Sequence, residues 1–168
     1  FIGAFSERLL NTVLQSSKQI KNSTALSGGT VSVSFAAVQY IRNKVAQPAA
    51  KKMLLLGVGK IGRNTCKNLV DYLGTTNITL INRSPQKAAE LALELGLRFA
   101  TLQDLHAEIA AADIVLVATN APQPVIEKTH LIGCSHKLII DLSIPYNVAA
   151  DAQALPHVQL VNVDELSK

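Results

Sequence analysis

Three consecutive leucines that run straight into three spaced glycines, in "LLLGVGKIG" at 54–62, constrain the fold of this chain more than any other stretch. A short apolar run that ends at glycine reads as a buried strand entering a tight turn, and the G-x-G-x-x-G spacing at its end opens a helix. The three glycines serve different steric needs. Gly57 makes the turn, Gly59 leaves room for a pyrophosphate against the backbone, and Gly62 lets helix and strand pack closely. Val58, Lys60 and Ile61 complete the loop, and the free N–H groups at the helix N-terminus favour an anion. Glycines so spaced also serve ordinary turns. Here a strand precedes them, a helix follows and a second strand comes next, and in that context the loop reads as a dinucleotide cradle.

The body of the chain repeats that alternation. "KMLLLG" reads as a strand, 59–74 as a helix, "NITLIN" as a strand, 84–95 as a helix, "LRFA" as a short strand, 101–111 as a helix and "DIVLVAT" as a strand. A short helix near 127–132, the strand "KLIIDLS" and the late strand "VQLVNV" complete the series. Strands that are apolar without alternation are buried on both faces, as in a parallel sheet covered by helices. Right-handed crossovers then give an α/β, Rossmann-type doubly wound sheet in the order 3-2-1-4-5-6. Ahead of it, Ile2, Phe5, Leu9, Val13 and Ile20 line one face of a helix over 1–22, which "NSTALSGG" breaks. A second helix starts near Thr30, with Val31, Phe35, Val38, Ile41 and Val45 on one stripe. The expected organisation is a helical connector over 1–50 and a nucleotide-binding domain over 51–168.

Twenty residues after Gly62, where an NAD-binding domain commonly carries an acid for the ribose hydroxyls, the chain has Asn82, Arg83 and Ser84 in "INRSPQK". Ser84 suits a helix N-cap, Pro85 the first helical position, and Gly96 the far end. The two cations do not fit that simple account. Arg83 and Lys87 crowd the positive end of the helix dipole, and the first acid to follow is Glu90. A bound anion removes the conflict, and the 2′-phosphate of NADP(H) is such an anion, so NADP(H) is expected in preference to NAD(H).

The fourth strand ends in "ATNAPQP", and Thr119, Asn120, Ala121 and Pro122 are expected to border the ribose and nicotinamide, since ligands of open sheets lie outside the carboxyl ends of the strands. "DLSIPYNV" ends the next strand in the same crevice; its Asp141 either orients a reacting group or caps a turn. Cys66 belongs on the sheet-facing side of its helix, four residues after Gly62. His106, His130, His136 and His157 show no metal-ligand spacing and no Cys or Ser partner. The chain thus offers a cofactor site and no evident acid, base or nucleophile.

A hydrophobic fraction of 48% against 17% charged residues excludes a disordered chain, and two cysteines are too few for a disulfide scaffold. No apolar run is long enough to cross a bilayer and no signal pattern opens the chain, so a cytoplasmic protein is expected. A start at Phe1, already in helical pattern, points to a piece of a longer protein. Residues 1–52 carry seven Lys/Arg against one acid, net +6, and 53–168 carry nine against eleven, net −2. The basic lead-in suits either a polyanion such as RNA or a solvated helix face.

Taken together, "GGTVSVSFAAVQY", "LLLGVGKIG", "INRSPQKAAELA", "DIVLVATNAPQPVI", "IIDLSIPYNV" and "VQLVNVDEL" resemble, in this order, the connecting helix and NADP-binding domain of the glutamyl-tRNA reductase family. The resemblance implies reduction of tRNA-bound glutamate to glutamate-1-semialdehyde with NADPH, at the entry to tetrapyrrole (porphyrin, heme) synthesis. It also implies a homodimeric full-length enzyme and an aminomutase receiving the semialdehyde. The family's catalytic cysteine and dimerisation helices match nothing in this chain, which alone would be inactive. Carried over by position, Gly57, Gly59 and Gly62 would hold the pyrophosphate, Asn82, Arg83 and Ser84 the adenosine end, and Thr119 to Pro122 the nicotinamide side. Tyr146 stands where an arginine is expected after "DLSIP", and Lys21 at a basic position before the domain. The cofactor domain of shikimate dehydrogenase has a similar loop and Asn-Arg-Ser/Thr but ends in a glycine- and glutamine-bearing segment, unlike "VNVDELSK". An NADP-sensing or RNA-binding module is the reading from another class.

Overall fold

The computed structural model describes residues 26–166. The helix read over 1–22 lies outside them. Six parallel strands, β1 (Met53–Leu56), β2 (Ile78–Ile81), β3 (Arg98–Ala100), β4 (Ile114–Val117), β5 (Lys137–Asp141) and β6 (Val158–Asn162), form one sheet in the order β3-β2-β1-β4-β5-β6. That is the expected doubly wound order.

All residues of β1, β2, β4 and β5 are buried, which explains why their apolar residues do not alternate with polar ones: each strand feeds two cores. Met53 and Leu55 face a cluster with Cys66, Leu69, Ala88 and Leu91 from α2 (Lys60–Leu73) and α3 (Pro85–Leu95). Leu54 and Leu56 face the opposite cluster, with Ile109 of α4 (Leu105–Ala111) and Leu131 of α5 (Lys128–Leu131). Ala37, Val38 and Ile41 of α1 (Leu26–Lys44) join the first core.

Several boundaries differ from expectation. The backbone of α1 is helical from Leu26, so the 22–29 break ends sooner than expected; its Ser27, Gly28 and Gly29 fall in the first turn, where N–H groups have no intrahelical partner to lose. Phe35 is only half-buried, its ring edge-on to Tyr72 at 5.4 Å, while Ser34 is fully buried in the stripe instead. The 101–111 segment divides into a 3₁₀ turn, Leu102–Asp104, and α4. Past β6 the chain makes a further short helix, α6 (Val163–Leu166), opened by a reciprocal pair in which the Glu165 N–H donates to Asn162 Oδ1 and the Asn162 N–H to Glu165 Oε1, both at 3.1 Å.

Candidate dinucleotide site

In-register pairing brings four strand ends to one edge: Leu56 lies beside Ile81 and Val117, and Val117 beside Asp141. The loops that follow β1, β2, β4 and β5 therefore meet above the place where strand order reverses, between β1 and β4. An open parallel sheet leaves its crevice there.

The glycine loop fits this crevice by steric exclusion. Gly57 has φ +96°, and a Cβ on it would lie 2.4 Å from the Ala118 carbonyl oxygen, so loop and fourth strand touch through bare backbone. A Cβ on Gly62 would lie 2.0 Å from the Gly57 carbonyl oxygen, which fixes how closely α2 sits on the turn. Gly59, the N-cap of α2, has open space where its Cβ would be. The first turn of α2 has neither a side-chain cap nor an acid, so its N–H dipoles face that space without a protein anion to answer them. Val58 is buried, Lys60 exposed, and Ile61 half-buried with its carbonyl accepting from Ser34 Oγ at 3.3 Å.

Asn82 ties the next loop to the first. Its Oδ1 accepts from the Val58 N–H at 3.0 Å, and its Nδ2 donates to the Ser84 carbonyl at 3.1 Å. Ser84 occupies the N-cap position of α3, but its hydroxyl makes no cap bond and turns to Gln86 Oε1 at 3.3 Å. The capping role expected for its side chain is thus corrected: Oγ turns away from the first turn of α3, which is closed by backbone alone, the Lys87 N–H donating to the Ser84 carbonyl at 3.2 Å, and which carries no acid. Arg83 and Lys87 are exposed beside it, and neither takes part in an ion pair among the described residues. Two free cations at an uncapped helix N-terminus are a surface that favours a multivalent anion.

Across the switch point, Thr119 and Ala121 are half-buried while Asn120 and Pro122 are exposed. The Thr119 N–H donates to Ser143 Oγ at 3.1 Å, and its hydroxyl meets Asn147 Oδ1. Asp141 caps the β5 loop: Oδ1 accepts from the Ser143 N–H at 3.0 Å, and Oδ2 from the Asn147 and Val148 N–H groups at 2.8 and 3.0 Å. Burial raises the pKa of its carboxyl, and these hydrogen bonds oppose the rise. Of its two possible roles the geometry supports the turn cap. Ser143 and Asn147 went unnoticed in the sequence; the only local hint is two polar residues, two and six positions past a strand-ending Asp.

Cys66 is fully buried in the packing face of α2, and desolvation pushes its thiol up to about 12. His106 and His130 stack edge-on at 5.6 Å, and His157 Nε2 bonds the Leu131 carbonyl at 2.7 Å. Among the described residues no three His, Cys, Asp or Glu are placed to hold a metal, and no helix is long and apolar enough to cross a membrane. The Tyr146 hydroxyl donates to Asp164 Oδ2 at 2.6 Å, which pushes the phenol up to about 12.

A glycine turn, two uncapped helix N-termini and a polar loop at the switch point of a six-stranded parallel sheet make this a Rossmann-type nucleotide-fold domain. More particularly, the chain belongs to the shikimate / quinate 5-dehydrogenase family, whose model matches residues 39–168. It is 50% identical over 165 residues to the glutamyl-tRNA reductase of Flavobacterium psychrophilum, an alignment that covers 98% of this chain and 40% of the relative. The chain therefore spans well under half the length of that relative. Among solved structures, a glutamyl-tRNA reductase from Methanopyrus kandleri matches with a TM-score of 0.72 and 28% identity, over 94% of this chain and 40% of that one. A shikimate 5-dehydrogenase from Thermus thermophilus, solved with NADP(H) and shikimate, shares the fold with a TM-score of 0.59 and 21% identity, over 82% of this chain and 51% of that one. The resemblance to glutamyl-tRNA reductase seen in the motifs thus extends over nearly the whole chain.

Proposed function

We propose that this chain is the NADP(H)-binding module of a glutamyl-tRNA reductase, an oxidoreductase that converts tRNA-bound glutamate to glutamate-1-semialdehyde for tetrapyrrole synthesis. The observation that carries the cofactor is the pair of unpartnered cations, Arg83 and Lys87, at the uncapped N-terminus of α3, level with the glycine cradle. The substrate rests on the 50% identity to a protein named for it.

In this proposal the N–H groups at the start of α2 hold the pyrophosphate over Gly59, while Gly57 turns the chain beneath it and Gly62 lets α2 sit close against that turn. Arg83, Ser84 and Lys87 bind the 2′-phosphate, Asn82 holds their loop against the cradle, and Thr119 to Pro122 border the ribose and nicotinamide. When bound, NADPH supplies the hydride. Asp141 is committed to three backbone N–H groups, and Cys66 is sealed behind α2, so neither is assigned a catalytic role. Thioester chemistry would then fall to polypeptide outside this chain, which alone would be inactive. Homodimerisation, transfer of the semialdehyde to an aminomutase and a cytoplasmic location belong to the same proposal for the full-length protein.

Calorimetric titration tests the cofactor. NADPH should bind much more tightly than NADH, and Arg83→Ala should weaken NADPH about tenfold while leaving NADH unchanged, the scale of one charge-assisted contact. An unchanged preference in the variant would sink the assignment. For the substrate, the full-length protein should oxidise NADPH only with charged glutamyl-tRNA. Turnover of shikimate or quinate instead would favour the other enzyme, the one for which the matching family is named.

A further inference from the structure

Asn147 sits 26 residues beyond Ala121 and is fully buried, yet every polar group it owns is engaged, and most of them on the loop that follows β4. Its Oδ1 accepts from the Ala121 N–H at 3.2 Å and its Nδ2 donates back to the Ala121 carbonyl at 3.0 Å. The side-chain amide thus pairs with Ala121 as a neighbouring strand would. The same Oδ1 meets the Thr119 hydroxyl, and the same Nδ2 donates to the Gln123 carbonyl at 3.3 Å. Its backbone is anchored in turn, the N–H on Asp141 Oδ2 at 2.8 Å and the carbonyl accepting from Val125 and Ile126 at 2.8 and 3.1 Å. Only a primary amide of this length supplies donor and acceptor together at that spacing: a carboxylate lacks the donor, and glutamine is one methylene too long.

We propose that Asn147, held by the buried Asp141 carboxylate, is the positioning residue that fixes the 119–123 loop against the nicotinamide half of the cofactor. The idea rests on the NADP(H) reading above. It follows from where the two halves of the site are built. The glycine cradle and the 82–87 loop are joined through Asn82 and the ends of β1 and β2, whereas the 119–123 loop is held by Asn147 and Ser143 from the far side of the switch point. Loosening Asn147 should therefore damage one half of the site and spare the other.

Adenosine 2′,5′-bisphosphate, which carries the adenosine end and no nicotinamide, separates the two. In the isosteric Asn147→Asp variant two donated hydrogen bonds are lost and the shape is kept, and a second variant, Asn147→Ala, removes the whole amide. Titration of this chain should show 2′,5′-bisphosphate affinity within about twofold of wild type in Asn147→Asp, with NADPH weakened about tenfold, and a larger NADPH loss in Asn147→Ala. Retained bisphosphate binding shows that the variant is folded. Equal losses for both ligands would make Asn147 a residue of the fold at large, and unchanged NADPH affinity would leave the loop independent of it; either overturns the proposal. Failure of the wild-type chain to bind either ligand would overturn the cofactor assignment itself, a separate outcome.

Discussion

Gly59 and Gly62 are three residues apart, and a methyl group added at each meets opposite circumstances. At Gly62 it would press on the Gly57 carbonyl oxygen from 2.0 Å, a backbone atom with no flexible side chain to give way. Gly62→Ala should therefore push α2 off the turn and cost about 3 kcal/mol or more, the upper range for overpacking. At Gly59 the methyl meets nothing within 4 Å, and φ −71°, ψ −161° is open to any residue. Gly59→Ala should leave stability within about 0.5 kcal/mol of wild type, yet weaken NADPH at least tenfold, because the added carbon occupies space assigned to the pyrophosphate. Urea unfolding and NADPH titration on both variants check this. If Gly59→Ala bound NADPH like wild type, the open space above it would not be the pyrophosphate seat.

At the scale of elements, α2 lies on the sheet through Cys66 and Leu69, both fully buried. That burial leaves a pH signature. The thiol is raised from 9.0 to about 12, so between those values the unfolded chain has lost a proton that the folded chain retains. Stability from this group is whole below 9.0 and declines as pH rises toward 12, by up to about 1.4 kcal/mol per pH unit. Cys66→Ala lowers stability at every pH by opening a cavity, but its alkaline decline should be shallower than wild type; parallel curves from urea denaturation would place the thiol in contact with water. The strands and α2 were legible because burial on both faces writes an unbroken apolar run and helix packing writes a period. The start of α1 was not, since Ser27, Gly28 and Gly29 carry a loop signal that the first turn of a helix tolerates. The α6 turn was legible in principle, as the Asn162 and Glu165 spacing of a capping box. The partnership of Asn147 with a loop 26 residues earlier was not, because nothing local distinguishes an amide that reaches the loop of the neighbouring strand from one that points to water.

At the scale of the molecule, the continuous register from β3 to β6, with a core on each face, leaves no seam among the described residues along which half the sheet could melt alone. A domain of this kind should unfold in one transition. The proposed ligand would bridge its two halves, with the adenosine end on the loops after β1 and β2 and the nicotinamide on the loops after β4 and β5. A ligand that binds only the folded state adds RT ln(1 + [L]/Kd), about 2.7 kcal/mol at a hundredfold excess over Kd. For a chain of 168 residues that corresponds to a rise in Tm of about 5–10 °C. Differential scanning calorimetry should show a single endotherm displaced upward by NADPH, with a much smaller displacement from NADH at the same concentration because its affinity lacks the 2′-phosphate contacts. Adenosine 2′,5′-bisphosphate, which grips one half only, should raise the same single transition by less than NADPH does. Were the endotherm to split with the bisphosphate bound, the halves would be separable, and the crevice would lie between two units in place of one continuous sheet.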